Sequence, residues 1–180
     1  AETSLSNIAK GLVAGQVGDM FADALGGSYL AAKKNAPILL VKNGLTTLQK
    51  NFLESLNGNH IYIIGGTGAV SEEIEKEIKT YTNIGGVERI GGKNRYETSV
   101  LIAHKLVGAS STVVLAYAQN FPDGLCGGPL AVSLGAPLIL TADNKDAAAQ
   151  EYVYRYKISN AVVLGGEALI SDKTVDHIFT

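Results

Sequence analysis

The chain has no tryptophan, one methionine, four prolines and one cysteine in 180 residues. A single thiol, Cys126, excludes an intramolecular disulfide and a cysteine-rich zinc site. It suits a reducing cytosol as well as an exterior whose proteins rarely use disulfides, so it does not fix the compartment. Charged residues make up only 18% of the chain, and the net charge of −2 excludes a global electrostatic grip on nucleic acid. Only a local basic patch remains open. No apolar run reaches the length of about 18 residues that a membrane span needs. No signal peptide is visible and Ala1 is not an initiator methionine, so the chain reads as processed or excised from a longer one. The histidines His60, His104 and His177 are scattered without metal-ligand spacing, which predicts surface or packed roles and no metal site.

What is abundant is apolar residues, 46%, and glycine, 21 residues. With so little charge, this favours buried sheets covered by helices over long solvated helices. The glycines imply many tight turns or close element contacts.

The chain repeats itself. Phe21-Ala22-Asp23-Ala24-Leu25 answers Phe121-Pro122-Asp123-Gly124-Leu125 at an offset of 100 residues. The same offset pairs Ala36-Pro37 with Ala136-Pro137, Gly65-Gly66 with Gly165-Gly166, Ser71 with Ser171 and Ile78 with Ile178. Glu2-Thr3-Ser4 matches Glu97-Thr98-Ser99 at an offset of 95, so the first copy is five residues shorter there. Residues 1–84 form copy 1, shortened and lacking counterparts of Arg89 to Arg95, and residues 85–180 form copy 2.

Apolar runs bounded by Gly or Pro predict buried parallel strands at Leu12–Gly15, Pro37–Val41, Ile61–Ile64, Val87–Ile90, Thr112–Ala116, Pro137–Thr141 and Ala161–Leu164. Helical stretches are predicted over 20–34, 46–56, 71–81, 94–107, 121–134, 145–157 and 171–179. Such alternation predicts an α/β fold of two tandem βα repeats, each a mostly parallel sheet with helices on both faces. Ser71 and Ser171, each followed by acidic residues, read as N-caps. Asn94 with Glu97 resembles a capping box.

Several residues invite a chemical reading. Asp23 and Asp123 hold equivalent places at helix starts, where two carboxylates could serve hydrolysis if they converged. Fixing each strand-to-helix turn is the reading a repeated Asp favours. Gly65-Gly66-Thr67-Gly68 follows a strand, but Ser71 holds the third glycine position of a dinucleotide loop. Copy 2 sets Glu167 where a phosphate would lie, so a tight turn explains Gly65, Gly66, Gly165 and Gly166 in both copies and no nucleotide cofactor is expected. Cys126 has no histidine nearby and is replaced by Gly26 in copy 1, which predicts a small buried residue. Gly26-Gly27 and Gly127-Gly128 would thin one helix face, letting helix and sheet, or two repeats, approach. Pro129 should kink its helix or sit near the first turn.

Copy 2 reads Val87-Glu88-Arg89-Ile90-Gly91-Gly92-Lys93-Asn94-Arg95-Tyr96-Glu97-Thr98-Ser99. A strand, Phe121-Pro122-Asp123-Gly124-Leu125, Gly135-Ala136-Pro137-Leu138-Ile139-Leu140 and Val163-Leu164-Gly165-Gly166 then follow in order. This resembles the cell wall binding repeat 2 family of Gram-positive bacteria, best known from clostridial cell-wall proteins. The resemblance implies a secreted surface protein held non-covalently to the wall by an anionic secondary polymer. It also implies repeats in threes, packed around one another beside a separate effector. Here two copies are present, and Gly124 replaces the more usual Ala.

Arg89, Lys93, Asn94, Arg95 and Tyr96 form the candidate polymer contact. The arginine forks suit phosphate or carboxylate groups. The alternative has Arg95 paired with Glu97 or with a neighbouring helix end. Ligand contact is expected in a cleft between repeats where strand ends and helix N-termini converge. The expectation is a non-catalytic wall-binding module. A structural or self-assembly module, joined to further repeats or copies, is the alternative. An enzyme ranks last, for want of a nucleophile–base set or a complete cofactor motif.

Overall fold

The computed structural model of the protein describes residues 11–16, 22–106, 110–119 and 121–180. Among these, seven strands alternate with seven helices. In order they are β1 (Gly11–Gln16), α1 (Ala22–Lys33), β2 (Ile38–Val41), α2 (Thr47–Ser55), β3 (His60–Ile64), α3 (Glu72–Lys79) and β4 (Gly86–Ile90). Then come α4 (Arg95–His104), β5 (Thr112–Tyr117), α5 (Phe121–Leu134), β6 (Leu138–Thr141), α6 (Ala147–Tyr156), β7 (Asn160–Leu164) and α7 (Asp172–Phe179). Every strand and helix expected from the sequence is present; residues 20, 21 and 107 of the expected helices lie outside the described residues, and elsewhere the ends differ by two residues at most.

The strands form two sheets, β2-β1-β3-β4 and β6-β5-β7, and all the pairings are parallel. The first sheet takes β4 as its edge strand, in register from His60↔Gly86 to Ile64↔Ile90. The break between sheets therefore falls after β4, beyond residue 84, and α4 begins on the far side of it.

Alternation along β3 shows how the first sheet is covered. Ile61 and Ile63 pack with Leu53 of α2 and with Ile74 and Ile78 of α3. Ile64 joins Leu30 of α1 and Ile102 of α4 on a second cluster, with Tyr62 packed against it. In the second sheet, Val113 and Leu115 of β5 pack with α4, α6 and α7. Val114 and Ala116 pack with Ala131 of α5 and with Tyr29, which comes from α1. Thus α1 and α4 serve both sheets, and burial on both faces explains the near-continuous apolar runs of β3, β5 and β6.

Glycines set the distances at this seam. A Cβ on Gly26 would lie 3.1 Å from Ile102 Cδ1, and one on Gly128 would lie 2.9 Å from Ser28 Cβ, where α1 meets α5. A Cβ on Gly127 would meet Leu138 Cδ1 at 2.9 Å and Leu164 Cδ1 at 3.1 Å. The thinned helix faces do bring helix to sheet and repeat to repeat. Because successive helical residues are turned by about 100°, burying Gly127 and Gly128 rotates Cys126 outward. Cys126 is exposed, which corrects the expectation that it is buried. Pro129 lies well inside α5.

Helix starts follow the caps. Ser71 Oγ accepts from Ile74 N at 3.5 Å and Ser171 Oγ from Thr174 N at 3.4 Å. A complete capping box that the sequence reading missed joins Thr46 and Gln49 at α2.

Candidate functional site

Four residues separate β4, the edge strand of the first sheet, from α4, the helix that packs against both sheets. Gly65 N–H donates to Ile90 O at 2.8 Å, carrying the β3–β4 ladder one step past the strands. Gly65 has φ 107° and its counterpart Gly165 φ 132°, a left-handed region that favours glycine. Both double-glycine turns close alike: Val70 N donates to Gly66 O at 3.0 Å, and Ile170 N to Gly166 O at 3.2 Å. Gly91 lies directly against the first turn, since a Cβ there would come within 2.6 Å of Gly65 C and Gly66 N. Asp23 and Asp123 fall in the first turns of α1 and α5, and their side chains lie outside the described residues.

Past Gly91 the loop is held by the helix it starts. Thr98 Oγ1 accepts from Gly92 N at 3.1 Å, and Glu97 Oε2 accepts from Lys93 N at 3.0 Å. Asn94 Oδ1 accepts from Glu97 N at 3.0 Å, so Asn94 is the N-cap. The expected capping pair exists, with the carboxylate reaching one residue further back than a capping box requires.

The five residues read as polymer-binding are not gathered into one cluster. Arg89 is engaged within the protein. Its Nε donates to Glu75 Oε2 at 2.7 Å, Nη1 to Gly65 O at 2.9 Å and Nη2 to Ser71 O at 3.5 Å. This one guanidinium clasps the double-glycine turn and the start of α3. Lys79 Nζ also bonds Glu75, at 2.6 Å. Those two hydrogen bonds, that from Lys79 first, hold the Glu75 carboxyl below its ordinary value of 4.5, against a smaller upward push from burial. Tyr96 packs against the second sheet's core. Arg95 donates through Nη1 to Ala118 O at 2.7 Å, tying α4 to the C-terminal end of β5. Lys93 and Asn94 are exposed. Lys93, Asn94 and Arg95 therefore sit at the helix-start end of the seam, where α4's N-terminus carries partial positive charge.

Other polar groups are consumed by structure. Asp143 Oδ1 accepts from Ser171 N and Oγ at 3.0 Å and from Thr174 Oγ1 at 2.6 Å, and these bonds lower its pKa. In copy 1 Asn43 stands for Asp143 and Ile74 for Thr174, so repeat matching hides this bracket between the β6–α6 loop and α7. His104 Nδ1 lies 2.7 Å from Tyr156 Oη, and His177 Nδ1 lies 2.7 Å from Asp146 Oδ2. Among the described residues, no group of three His, Cys, Asp or Glu side chains could hold a metal ion.

Fold and loop together define a tandem α/β repeat module in which β4 completes the first sheet at the seam. Residues 1–75 and 89–175 match the family described as cell wall binding domain 2, and the chain belongs to that family. It is 34% identical over 163 residues to the N-acetylmuramoyl-L-alanine amidase LytC of Bacillus subtilis (strain 168), covering 89% of this chain and 32% of the amidase. It is 33% identical over 162 residues to that organism's amidase enhancer, covering 89% of this chain and 21% of the enhancer. The solved structure of Cwp6 from Clostridium difficile superposes with a TM-score of 0.85 at 28% identity, over 97% of this chain and 28% of Cwp6. Cwp8 from the same organism shows the same fold, with a TM-score of 0.74 at 24% identity, over 94% of this chain and 29% of Cwp8. The chain thus spans a third or less of each of these proteins.

Proposed function

We propose that the chain is a non-catalytic module that retains a secreted surface protein on the Gram-positive cell wall by binding an anionic secondary wall polymer. Family membership supports wall binding. The observation that carries the contact is the β4–α4 loop. It sets the exposed Lys93 and Asn94 beside Arg95 at a helix N-terminus, next to the seam between repeats. Arg89 is left out of this contact because its donors are spent on Glu75, Gly65 and Ser71. Lys93 supplies a mobile charge and Arg95 a fork with donors beyond the one on Ala118 O. The sites of catalysis in wall enzymes that share this family belong, in this reading, to other parts of those proteins.

The test incubates purified protein with wall material before and after removal of the anionic polymer, over a salt series. Retention that needs the polymer and weakens with salt is expected. Retention that is indifferent to polymer removal would sink the reading. Lys93→Ala and Arg95→Lys should each weaken retention about two- to fivefold at low salt, the scale of an exposed charge contact.

A second reading, docking to further repeats, rests on a separate observation. Ile38 and Leu40 of β2 are 39% and 48% exposed, whereas their counterparts Leu138 and Leu140 of β6 are 2% and 1% exposed. The β6 pair packs with Tyr29 of the other copy. By analogy the β2 face suits the same kind of cover from another repeat. Solution mass against concentration tests the version with a second copy of this chain, and a strictly monomeric species removes it.

A further inference from the structure

At the opposite end of the second sheet lies a cavity of about 490 Å³ that the wall-binding loop does not touch. Its walls come from both copies: the last turn of α1, the entries to β5 and β6, and one face of α6. We propose that this cavity seats a short run of uncharged sugar rings. The proposal deepens the wall-retention reading, since it takes wall glycan as the ligand's source.

Five of the ten lining residues carry hydroxyls. Tyr29, Lys33, Ser110, Ser111, Thr112 and Tyr152 provide the polar surface, and leucine and proline side chains provide flat apolar patches. Sugar rings present that same alternation of hydroxyl edges and apolar C–H faces. Both tyrosines are only 4% exposed, so their rings are fixed by packing and lose little freedom when a ligand arrives. Burial pushes the Tyr152 pKa up to about 12, which keeps the phenol a neutral donor throughout the physiological range. Ser110 Oγ donates to Thr112 O at 2.9 Å and accepts from Thr112 N at 3.2 Å, a closed local turn that fixes how Ser111 and Thr112 are presented. The volume falls in the range of about 300–1,000 Å³ typical of small-molecule sites.

Charge argues for a neutral ligand here. Lys33 is the single charged residue in the lining, and its Nζ sits 5.4 Å from the centre of the Tyr29 ring. Three helices end at this cavity: α1 at Lys33, α5 at Leu134, and α4 two residues before Leu106. Helix C-termini carry partial negative charge, which Lys33 offsets without reversing. Phosphates and carboxylates are better served at Lys93 and Arg95, beside a helix N-terminus. The two places lie about 20 Å apart, the length of a six-residue strand at about 3.3 Å per residue. Ligand signals at one are therefore separable from those at the other.

The experiment follows backbone amide shifts of the full chain by nuclear magnetic resonance. The probes are glucose, glucose 6-phosphate, N-acetylglucosamine and its β-1,4-linked dimer and trimer. Saturable shifts are expected at Ser111, Thr112 and Gly135, tighter for the dimer than for the single sugar, with no gain from the phosphate. Tyr152→Phe and Thr112→Val should each weaken binding about three- to tenfold, one lost hydrogen bond apiece. Ser111→Ala, at an exposed position, serves should either variant fail to fold, and the same loss is expected. The proposal is overturned if no neutral sugar gives saturable shifts, if affinity is unchanged in the folded variants, or if only glucose 6-phosphate binds. Sugar shifts absent while polymer-dependent retention persists overturn the seat alone. Sugar shifts present while retention ignores polymer removal overturn the wall reading and leave the seat supported.

Discussion

Arg89 and Glu75 meet with side chains that are only 17% and 18% exposed, and each has further partners in Gly65, Ser71 and Lys79. Removing the guanidinium leaves Glu75 with Lys79 as its remaining charged partner and takes a donor from Gly65 O in a half-dry groove. Arg89→Ala is expected to cost about 2 kcal/mol in urea unfolding, with wall retention unchanged in the folded fraction. The pair also makes stability depend on pH. Because the Glu75 carboxyl is depressed in the folded state, the unfolded chain takes up its proton first as pH falls. Stability from this group is complete above 4.5 and is lost as pH drops through the lower folded value. Glu75→Gln should therefore differ most from the parent near neutral pH and converge on it once pH falls below the depressed folded-state value, in unfolding curves at stepped pH. In the sequence, Arg89 looked like part of a basic patch because Lys93 and Arg95 follow it closely. Nothing local reveals that a strand sends it to one sheet while the loop sends them to the other.

Among the elements, the β4–α4 crossing is the most constrained. Gly91→Ala must push a methyl group into the backbone of Gly65 and Gly66 at 2.6 Å, where no side chain can move aside. A loss of about 2 kcal/mol or more is expected. Gly68→Ala is the control: a Cβ there meets nothing within 4 Å, so its effect should stay within about 0.5 kcal/mol. Asn94→Ala removes the cap on α4 and should cost about 1 kcal/mol. Differential scanning calorimetry on the three variants, compared at a common temperature, ranks them. The caps at Ser71, Ser171 and Asn94, the double-glycine turns and the thinned helix faces were legible in the sequence, because each depends on short-range geometry. The full Asp143–Ser171–Thr174 bracket was not, since its members lie about 30 residues apart with no periodic signal.

Across the whole molecule, the seam couples the two copies. The first sheet is completed by β4, and α1 gives Tyr29 to the second sheet's core while α4 gives Ile102 to the first. Both halves should therefore lose structure in one transition. Gly128→Val tests this coupling, because the added bulk meets Ser28 where α1 crosses α5. A fall in the shared midpoint, or a split into two transitions, is expected by circular dichroism against urea. An unchanged single transition would show that the seam contributes little.

Hydrophobic periodicity, helix caps and glycine placement are local, so the sequence alone determined the order of elements, the parallel α/β class, the doubled repeat and the family. The offset of 100 residues could even locate the turns at Gly65 and Gly165. Only the tertiary structure decided which sheet β4 joins, that Arg89 serves Glu75, and that Lys93, Asn94 and Arg95 remain at the seam. It alone assembled the hydroxyl-lined cavity from α1 of one copy and the strand entries of the other. Those outcomes depend on contacts between distant segments, and a repeat read along the chain cannot say which sheet's edge the strand at the seam completes.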